Sequence, residues 1–173
     1  LQDAWIKDVT PRYFEHSLAN IEKTAKRVTV QDCTNLDPVS MISGGRRYSY
    51  NVAGQLNLIK DCYSKNARHD FTIQARTAGP NVFLRCTSEN SYANSEPHHR
   101  WAQGALWDNV SVEGPGATLQ ALNRGDSASG HGWSGIQMVF WNCRAPIIGV
   151  MQPPTSQNFA IGISGTVEVN NLD

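Results

Sequence analysis

Ile59-Lys60-Asp61-Cys62 and Phe83-Leu84-Arg85-Cys86 are two copies of a four-residue pattern that decides the fold of this chain. The pattern begins with a large apolar residue, has a polar third residue and ends in Val or Cys. Four further copies lie at residues 6–9, 30–33, 107–110 and 140–143. The last residues of successive copies are 24, 29, 24, 24 and 33 residues apart. A basal period of 24 residues with occasional insertions is typical of a solenoid, in which each repeat forms one coil.

The segments around the pattern favour short strands over helices. Long stretches with apolar residues at three- and four-residue spacing are missing, and runs such as Val28-Thr29-Val30 are bounded by Gly, Pro, Asn and Asp. A second β-like run follows each copy, as in Asp70-Phe71-Thr72-Ile73-Gln74. Two or three strands per coil predict an all-β chain. We expect a right-handed parallel β-helix of six to seven coils of about 24 residues, forming one domain over residues 1–173 without caps of its own.

Equivalent positions of successive coils stack about 4.8 Å apart in such a helix. The first position of the pattern then forms an inward ladder of Ile6, Val30, Ile59, Phe83, Trp107 and Phe140. The fourth position forms a second ladder of Val9, Cys33, Cys62, Cys86, Val110 and Cys143. The cysteines are either buried thiols or, for the neighbours Cys33–Cys62 or Cys62–Cys86, a disulfide. No C-x-x-C pair indicates a zinc site.

This repeat pattern resembles the pectate-lyase-like superfamily of parallel β-helices over nearly the whole chain. The superfamily hosts lyases, hydrolases, esterases, epimerases and phage tailspikes. The resemblance therefore implies a fold and leaves the function open between enzymes and structural proteins.

The composition excludes some classes of binding partner. The formal net charge is zero, so nothing indicates nucleic acid or an anionic membrane, and no apolar run is long enough for a transmembrane helix. The chain begins at Leu1 with a coil already under way, so either a leader has been removed or the chain is a piece of a longer β-helix. Uncovered end coils expose apolar core and unpaired backbone, so we expect another chain, or another copy of this one, to cover them.

The turns that follow the pattern carry most of the side chains that could bind or react with a substrate. Four of the five histidines fall in these turns with several arginines, and the fifth is His16. Stacked turns would form a groove of imidazole, guanidinium and aromatic groups that suits an acidic glycan. The candidate catalytic residues are His69, His99, Arg68, Arg100, Asp70 and His131. The candidate substrate-binding residues are Arg46, Arg47, His98, Trp101, Arg124 and Asp126.

We therefore expect a secreted carbohydrate-active protein that acts on a uronic-acid-containing polysaccharide, with a lyase favoured over a hydrolase. A β-eliminating lyase needs a cation on the uronate carboxylate, a base for the C5 proton and an acid for the leaving oxygen. We expect His69 or His99 as the base, and Arg68 and Arg100 as carboxylate clamps. Adjacent histidines point in different directions, so only one of His98 and His99 should face the groove.

Two comparisons within the superfamily bear on the mechanism. Gly130-His131-Gly132 is similar to the Gly-His-Gly of polygalacturonase-type hydrolases, but the adjacent aspartates of that family are replaced by Asp108-Asn109, and an inverting hydrolase needs two carboxylates. The acidic clusters of calcium-dependent lyases are also missing. Asp8, Asp32 and Asp61 form a polar ladder that we expect lysines such as Lys7 and Lys60 to neutralise. We expect no metal and no cofactor.

The alternatives are not catalytic. Arg68-His69-Asp70 also fits a local turn in which Asp70 accepts backbone hydrogen bonds, and Arg46 and Arg47 also fit a solvated loop. The chain would then be a structural, adhesin-like or fibre segment that assembles through its end coils, or a glycan-binding module without turnover.

Overall fold

The computed structural model describes residues 1–168, and these form an almost entirely β-stranded chain. The strands in chain order are β1 (Gln2–Lys7), β2 (Ala19–Ile21), β3 (Lys26–Gln31), β4 (Thr34–Asn35), β5 (Tyr48–Val52), β6 (Asn57–Lys60), β7 (Tyr63–Lys65), β8 (His69–Ile73), β9 (Asn81–Leu84), β10 (Thr87–Glu89), β11 (Ala102–Asp108), β12 (Ser111–Val112), β13 (Thr118–Ala121), β14 (Gly135–Trp141), β15 (Arg144–Val150), β16 (Phe159–Ile161) and β17 (Ser164–Glu168). One helical turn, α1 (Ser127–Gly130), lies between β13 and β14.

The strands form three sheets, and every strand pairing among the described residues is parallel. The first sheet has the order β1-β3-β6-β9-β11-β14-β16. The second has the order β4-β7-β10-β12-β15-β13, with β17 also on β15, and the third has the order β2-β5-β8. Three parallel sheets whose neighbours follow one another along the chain are consistent with a parallel β-helix. Below, a coil is the segment from one strand of the first sheet to the next.

The first position of the repeat stacks in the predicted register. Each of the predicted ladder residues is paired with its neighbour in the next coil, from Ile6 with Val30 up to Trp107 with Phe140. Phe140 in turn pairs with Ala160, a seventh member that the pattern search missed because alanine is small. All predicted members except the half-buried Ile6 are fully enclosed. This ladder is the centre of the core.

The second ladder is also buried, except at its first member. Val9 follows β1 and is 41% exposed, with a backbone hydrogen bond from Thr34 of the next coil to its carbonyl. All four cysteines are buried free thiols, so the thiol alternative is confirmed and neither disulfide forms.

The third position of the pattern is polar because of its backbone conformation. The residues at this position all have a left-handed backbone with φ between 49° and 56°: Asp8, Asp32, Asp61, Arg85, Asn109 and Asn142. Gly162 continues the series at φ 65°. Asp, Asn and Gly tolerate this conformation best, so the polar position marks the sharp turn between the first and second sheets.

The main partner of Asp61 in the acidic ladder is an arginine, and Lys60, the lysine expected there, adds a weaker attraction. The Asp61 carboxylate accepts two hydrogen bonds from the Arg85 guanidinium of the next coil, at 2.7 and 2.8 Å. Asp32 accepts a hydrogen bond from the Gln31 amide at 3.0 Å. Arginine replaces lysine here because its fork matches the two carboxylate oxygens.

None of the described residues forms a helix long and apolar enough to cross a membrane. At the β1 edge, Leu1 and Trp5 are exposed by 76% and 74%. The cover that we expect another chain or copy to give the end coils stays a prediction.

Candidate functional site

The third sheet begins a column of aromatic rings. Tyr48 and His69 are the first residues of β5 and β8, and they are paired in register. Their rings stack with centroids 5.0 Å apart, and His16 of the preceding coil stacks on the other side of Tyr48 at 5.5 Å. The next coil approaches β8 through a parallel bridge between Ile73 and Pro97. That bridge brings the segment that carries the next histidines beside His69.

The four histidines of the turns meet in one cluster. The rings of His69 and His98 are 4.7 Å apart between centroids. His98, His99 and His131 form a triangle with centroid distances of 5.1, 5.0 and 5.0 Å. The predicted concentration of imidazoles is therefore confirmed, and both adjacent histidines belong to it. The expectation that only one of them faces the groove is wrong, because they lie in a turn and not in a strand, where neighbours would alternate.

Glu96 lies behind this cluster and is fully buried. Its Oε1 contacts His98 Nδ1 at 2.7 Å and accepts a hydrogen bond from Arg124 at 2.6 Å. Its Oε2 accepts hydrogen bonds from the side-chain amides of Asn94 and Gln120, both at 2.7 Å. Burial raises the pKa of Glu96 to about 8, and the Arg124 charge and the Gln120 hydrogen bond oppose the rise.

Sequence reasoning missed Glu96. It stands in the run Glu96-Pro97-His98-His99-Arg100, which was recognised for its histidines and arginine. The available signal was a carboxylate two residues before a histidine, but the sequence does not show that this carboxylate is enclosed by donors.

A cavity of about 470 Å³ opens in front of the cluster. Its walls come from the turns of several coils: Gly44, Gly45, Tyr48, Arg68, Gln74, His98, His99, Arg124, Ser127, Ala128 and His131. Five of the predicted site residues are thus brought together at the cavity: Arg68, His98, His99, Arg124 and His131.

The imidazoles at the cavity are neutral at physiological pH. Burial lowers the pKa of His98 to about 3 and that of His99 to about 4, and the neighbouring arginines and histidines add to the effect. Burial and Arg124 also lower the pKa of His131. Among the described residues, the Nδ1 atoms of His99 and His131 are buried without a hydrogen-bond partner. Each neutral imidazole presents one lone pair, so the cavity offers hydrogen-bond and proton acceptors beside fixed positive charge.

Tyr48 and Arg68 complete the wall of the cavity. Burial raises the pKa of Tyr48, so its hydroxyl stays protonated at neutral pH and can donate a proton. The Arg68 guanidinium donates a hydrogen bond to the Gly44 carbonyl and is partly exposed. It forms no ion pair within the described part of the chain, whereas Arg124 is paired with Glu96.

Two predicted catalytic residues lie away from the cavity wall. Asp70 is fully buried and accepts hydrogen bonds from the hydroxyls of Ser64 and Ser91, with Ser49 at 3.5 Å. His69 is 1% exposed, and its Nδ1 contacts the Asn94 carbonyl at 2.7 Å. Asp70 faces the serine hydroxyls of the interior, while His69 lies under the turn of the next coil through its contact with Asn94.

The remaining predicted residues lie around the site. Arg100 donates hydrogen bonds to the carbonyls of Ser129 and Gly130 and so anchors α1. Arg47 donates to the carbonyls of Ser40 and Asn66. Arg46, Trp101 and Asp126 are exposed.

His69, Glu96 and His98 place possible metal-ligating atoms within 4.8 Å of one another. The Arg124 guanidinium bonds the same carboxylate oxygen as His98 does, so a cation already neutralises this carboxylate. A metal ion there would have to lie beside a fixed positive charge, and we assign none.

Comparison of the chain with protein-family models, with curated proteins and with solved structures finds no match. Any assignment of function therefore has to come from the site.

Proposed function

We propose that this chain is a secreted, right-handed parallel β-helix of the pectate-lyase-like type that cleaves a uronic-acid-containing polysaccharide by β-elimination. The observation that carries the proposal is the cavity itself, in which neutral imidazoles lie beside the Arg68 guanidinium and a protonated tyrosine. The parallel sheets and the 24-residue period support the fold assignment.

Each group has a role in the elimination. Arg68 binds the uronate carboxylate and stabilises the charge that develops when C5 loses its proton. One imidazole of the cluster accepts that proton, the electron pair of the C5–H bond forms the C4=C5 double bond, and the C4–O4 bond breaks. The Tyr48 hydroxyl donates its proton to O4, and solvent then returns a proton to Tyr48 and takes one from the imidazole.

A lyase fits the cavity better than a hydrolase. An inverting or retaining glycosidase uses a pair of carboxylates on either side of the bond. The described residues that line the cavity include no aspartate or glutamate. The Gly-His-Gly histidine, His131, does line it, but without a carboxylate at the wall it fits better as one of the neutral imidazoles.

A sugar-binding surface extends the site. Trp101 is 41% exposed and lies beside Trp133, with ring centroids 6.4 Å apart. These residues directly follow segments that reach the cavity, so their flat faces suit neighbouring sugar rings of a long chain.

A structural protein that assembles through its end coils is the second candidate. Trp5, which is 74% exposed in β1, favours it, because an exposed large apolar side chain suits contact with another chain. This candidate does not require neutral imidazoles and a free guanidinium around one cavity, so it ranks below the lyase.

The test is an activity screen of the intact chain on uronic-acid polysaccharides. The formation of product is followed by the ultraviolet absorbance of its unsaturated sugar and by new reducing ends. We expect absorbance in the wild type, and a loss of at least about 10²-fold in Arg68→Met. Arg85→Met is the matched control, since Arg85 is an exposed arginine that pairs with Asp61 and does not line the cavity.

Three results would contradict the lyase. Reducing ends without absorbance would indicate hydrolysis. Binding of the polysaccharide without either signal would indicate a glycan-binding module, and concentration-dependent assembly without binding would favour the structural protein.

A further inference from the structure

We propose that Glu96 is a positioning residue, and that it holds His98 in the tautomer with the proton on Nδ1. The lone pair on Nε2 of His98 then faces the cavity, where it accepts the C5 proton of the substrate. The inference rests on the proposed function, since it selects the base of that reaction. Glu96 itself touches no substrate, because it is fully buried behind His98.

The hydrogen bonds at the Glu96 carboxylate favour one position of the proton, and Arg124 Nη1 also lies 3.3 Å from His98 Nδ1. Three of its four neighbours present N–H groups: the Arg124 guanidinium and the amide groups of Asn94 and Gln120. Guanidinium and amide NH₂ groups donate and do not accept. An ionised Glu96 satisfies all of them and accepts a fourth bond from His98 Nδ1–H, two bonds to each oxygen. A neutral imidazole with a proton on Nδ1 has its lone pair on Nε2.

Among the four histidines of the cluster, His98 differs in having a carboxylate as the partner of its Nδ1. Nδ1 of His99 and Nδ1 of His131 have no hydrogen-bond partner among the described residues, so no carboxylate fixes their tautomers. His69 is held by the Asn94 carbonyl but does not line the cavity. His98 is therefore the cavity histidine with an acidic partner, which is the arrangement of an oriented general base.

The protonation of Glu96 makes the tautomer depend on pH. When Glu96 is protonated, its hydroxyl donates a hydrogen bond to His98 Nδ1. The neutral His98 ring then carries its own proton on Nε2. The pKa of Glu96, about 8, puts this change in the alkaline range. The charged and titratable groups that face the pair are Arg68, Arg124, His69, His99, His131 and Tyr48.

The proton transfer balances with this arrangement. The C5 proton goes to His98 Nε2, and the resulting imidazolium keeps its Nδ1–H hydrogen bond to the ionised Glu96. The C5–H electron pair forms the C4=C5 bond, and O4 leaves with the proton of Tyr48. His98 then returns its proton to solvent from Nε2, and Glu96 remains ionised throughout.

The first measurement is nitrogen NMR of the intact chain labelled with ¹⁵N-histidine, without substrate. The His98 signals are assigned by their loss in His98→Gln. At about pH 9.5 we expect a protonated Nδ1 and an unprotonated Nε2, and at about pH 6 the reverse. In Glu96→Gln this pH dependence should disappear. Glu89→Gln is the matched control, because Glu89 is an exposed glutamate of the same coil, paired with Lys65 at the surface.

The second measurement is the kinetics of the same variants on the active polysaccharide. In the wild type we expect kcat to rise with pH through about 8. Glu96→Gln should lower kcat by at least about 10²-fold with little change in KM, and Glu89→Gln should match the wild type. A thermal melt verifies that each variant is folded.

The outcomes separate the inference from the function. A His98 tautomer that is the same in the wild type and Glu96→Gln, or full activity in a folded Glu96→Gln, overturns the role of Glu96 and leaves the lyase intact. The expected tautomers with no unsaturated product from any uronate polysaccharide contradict the lyase, while they support the positioning of His98 by Glu96.

Discussion

Asp70 and Glu96 are two fully buried carboxylates in neighbouring coils, and their surroundings differ in kind. The hydrogen-bond partners of Asp70 are serine hydroxyls, which lie in the interior among buried strands. The partners of Glu96 are a guanidinium, two amides and an imidazole, and two of these side chains line the cavity. Burial raises the pKa of both acids.

The difference shows that a buried, perturbed acid is not by itself a sign of function. Structural networks also shift pKa values, and the Asp70 network stays within the core. What distinguishes Glu96 is its connection to solvent through His98 and Arg124.

Removal of the Arg124 guanidinium should destabilise the protein most. In Arg124→Met the buried Glu96 loses its cation, and breaking a buried pair in this way costs about 3–5 kcal/mol. The matched control is Arg85→Met, which removes an exposed partner of Asp61 and should change the free energy of unfolding far less. Urea unfolding above the pKa of Glu96 measures both. Equal losses in the two variants would mean that Glu96 is not dependent on this cation.

Asp70→Asn should cost stability without affecting the site. The serine hydroxyls can rotate to meet an amide, so we expect a loss of about 1–3 kcal/mol in the free energy of unfolding. The kcat and KM of the folded variant should remain within a few-fold of the wild type. A selective fall of kcat with unchanged stability would place Asp70 in the reaction and remove the contrast with Glu96.

The pH dependence of stability should reveal both kinds of group. His98 and His99 have folded pKa values of about 3 and about 4, below the value of about 6.5 in an unfolded chain, so stability falls as pH falls through this window. The folded pKa of Glu96 is raised, so its contribution falls as pH rises from its unfolded value toward about 8. Each group contributes at most about 1.4 kcal/mol per pH unit.

The two slopes can be separated by thermal melts across the pH range. Above about pH 6.5 the contribution of the histidines to stability no longer changes with pH. The decline in stability that remains at higher pH comes from Glu96, and Glu96→Gln should remove it. His98→Gln should flatten the acid limb. An acid limb that is unchanged in His98→Gln would show that His98 is not held neutral by burial.

The all-β chain and its parallel, stacked strands could be predicted from the sequence because the same residue types recur at equivalent positions. The ladder from Val30 to Phe140 needs a large apolar residue in every coil, and the left-handed turn needs a residue such as Asp61 or Asn142 that tolerates it. Ala160 was missed because a terminal ladder position accepts a small side chain.

The site was only partly predictable, because it depends on contacts between coils that have no periodic signal. The histidines could be located since the turns that carry them follow the repeat. The sequence alone does not show that Asp70 faces inward beside His69, or that Gln120 and Arg124 reach back to Glu96 from the following coil. Such contacts depend on insertion lengths and side-chain directions, which neither composition nor spacing determines.

The most direct test compares the two carboxylates on one substrate. The measurement is the initial rate of unsaturated product at about pH 9 for the wild type, Asp70→Asn and Glu96→Gln. We predict product from the wild type and Asp70→Asn, and a rate at least about 10²-fold lower from Glu96→Gln. No product from the folded wild type, or equal rates in the two variants, would contradict the account.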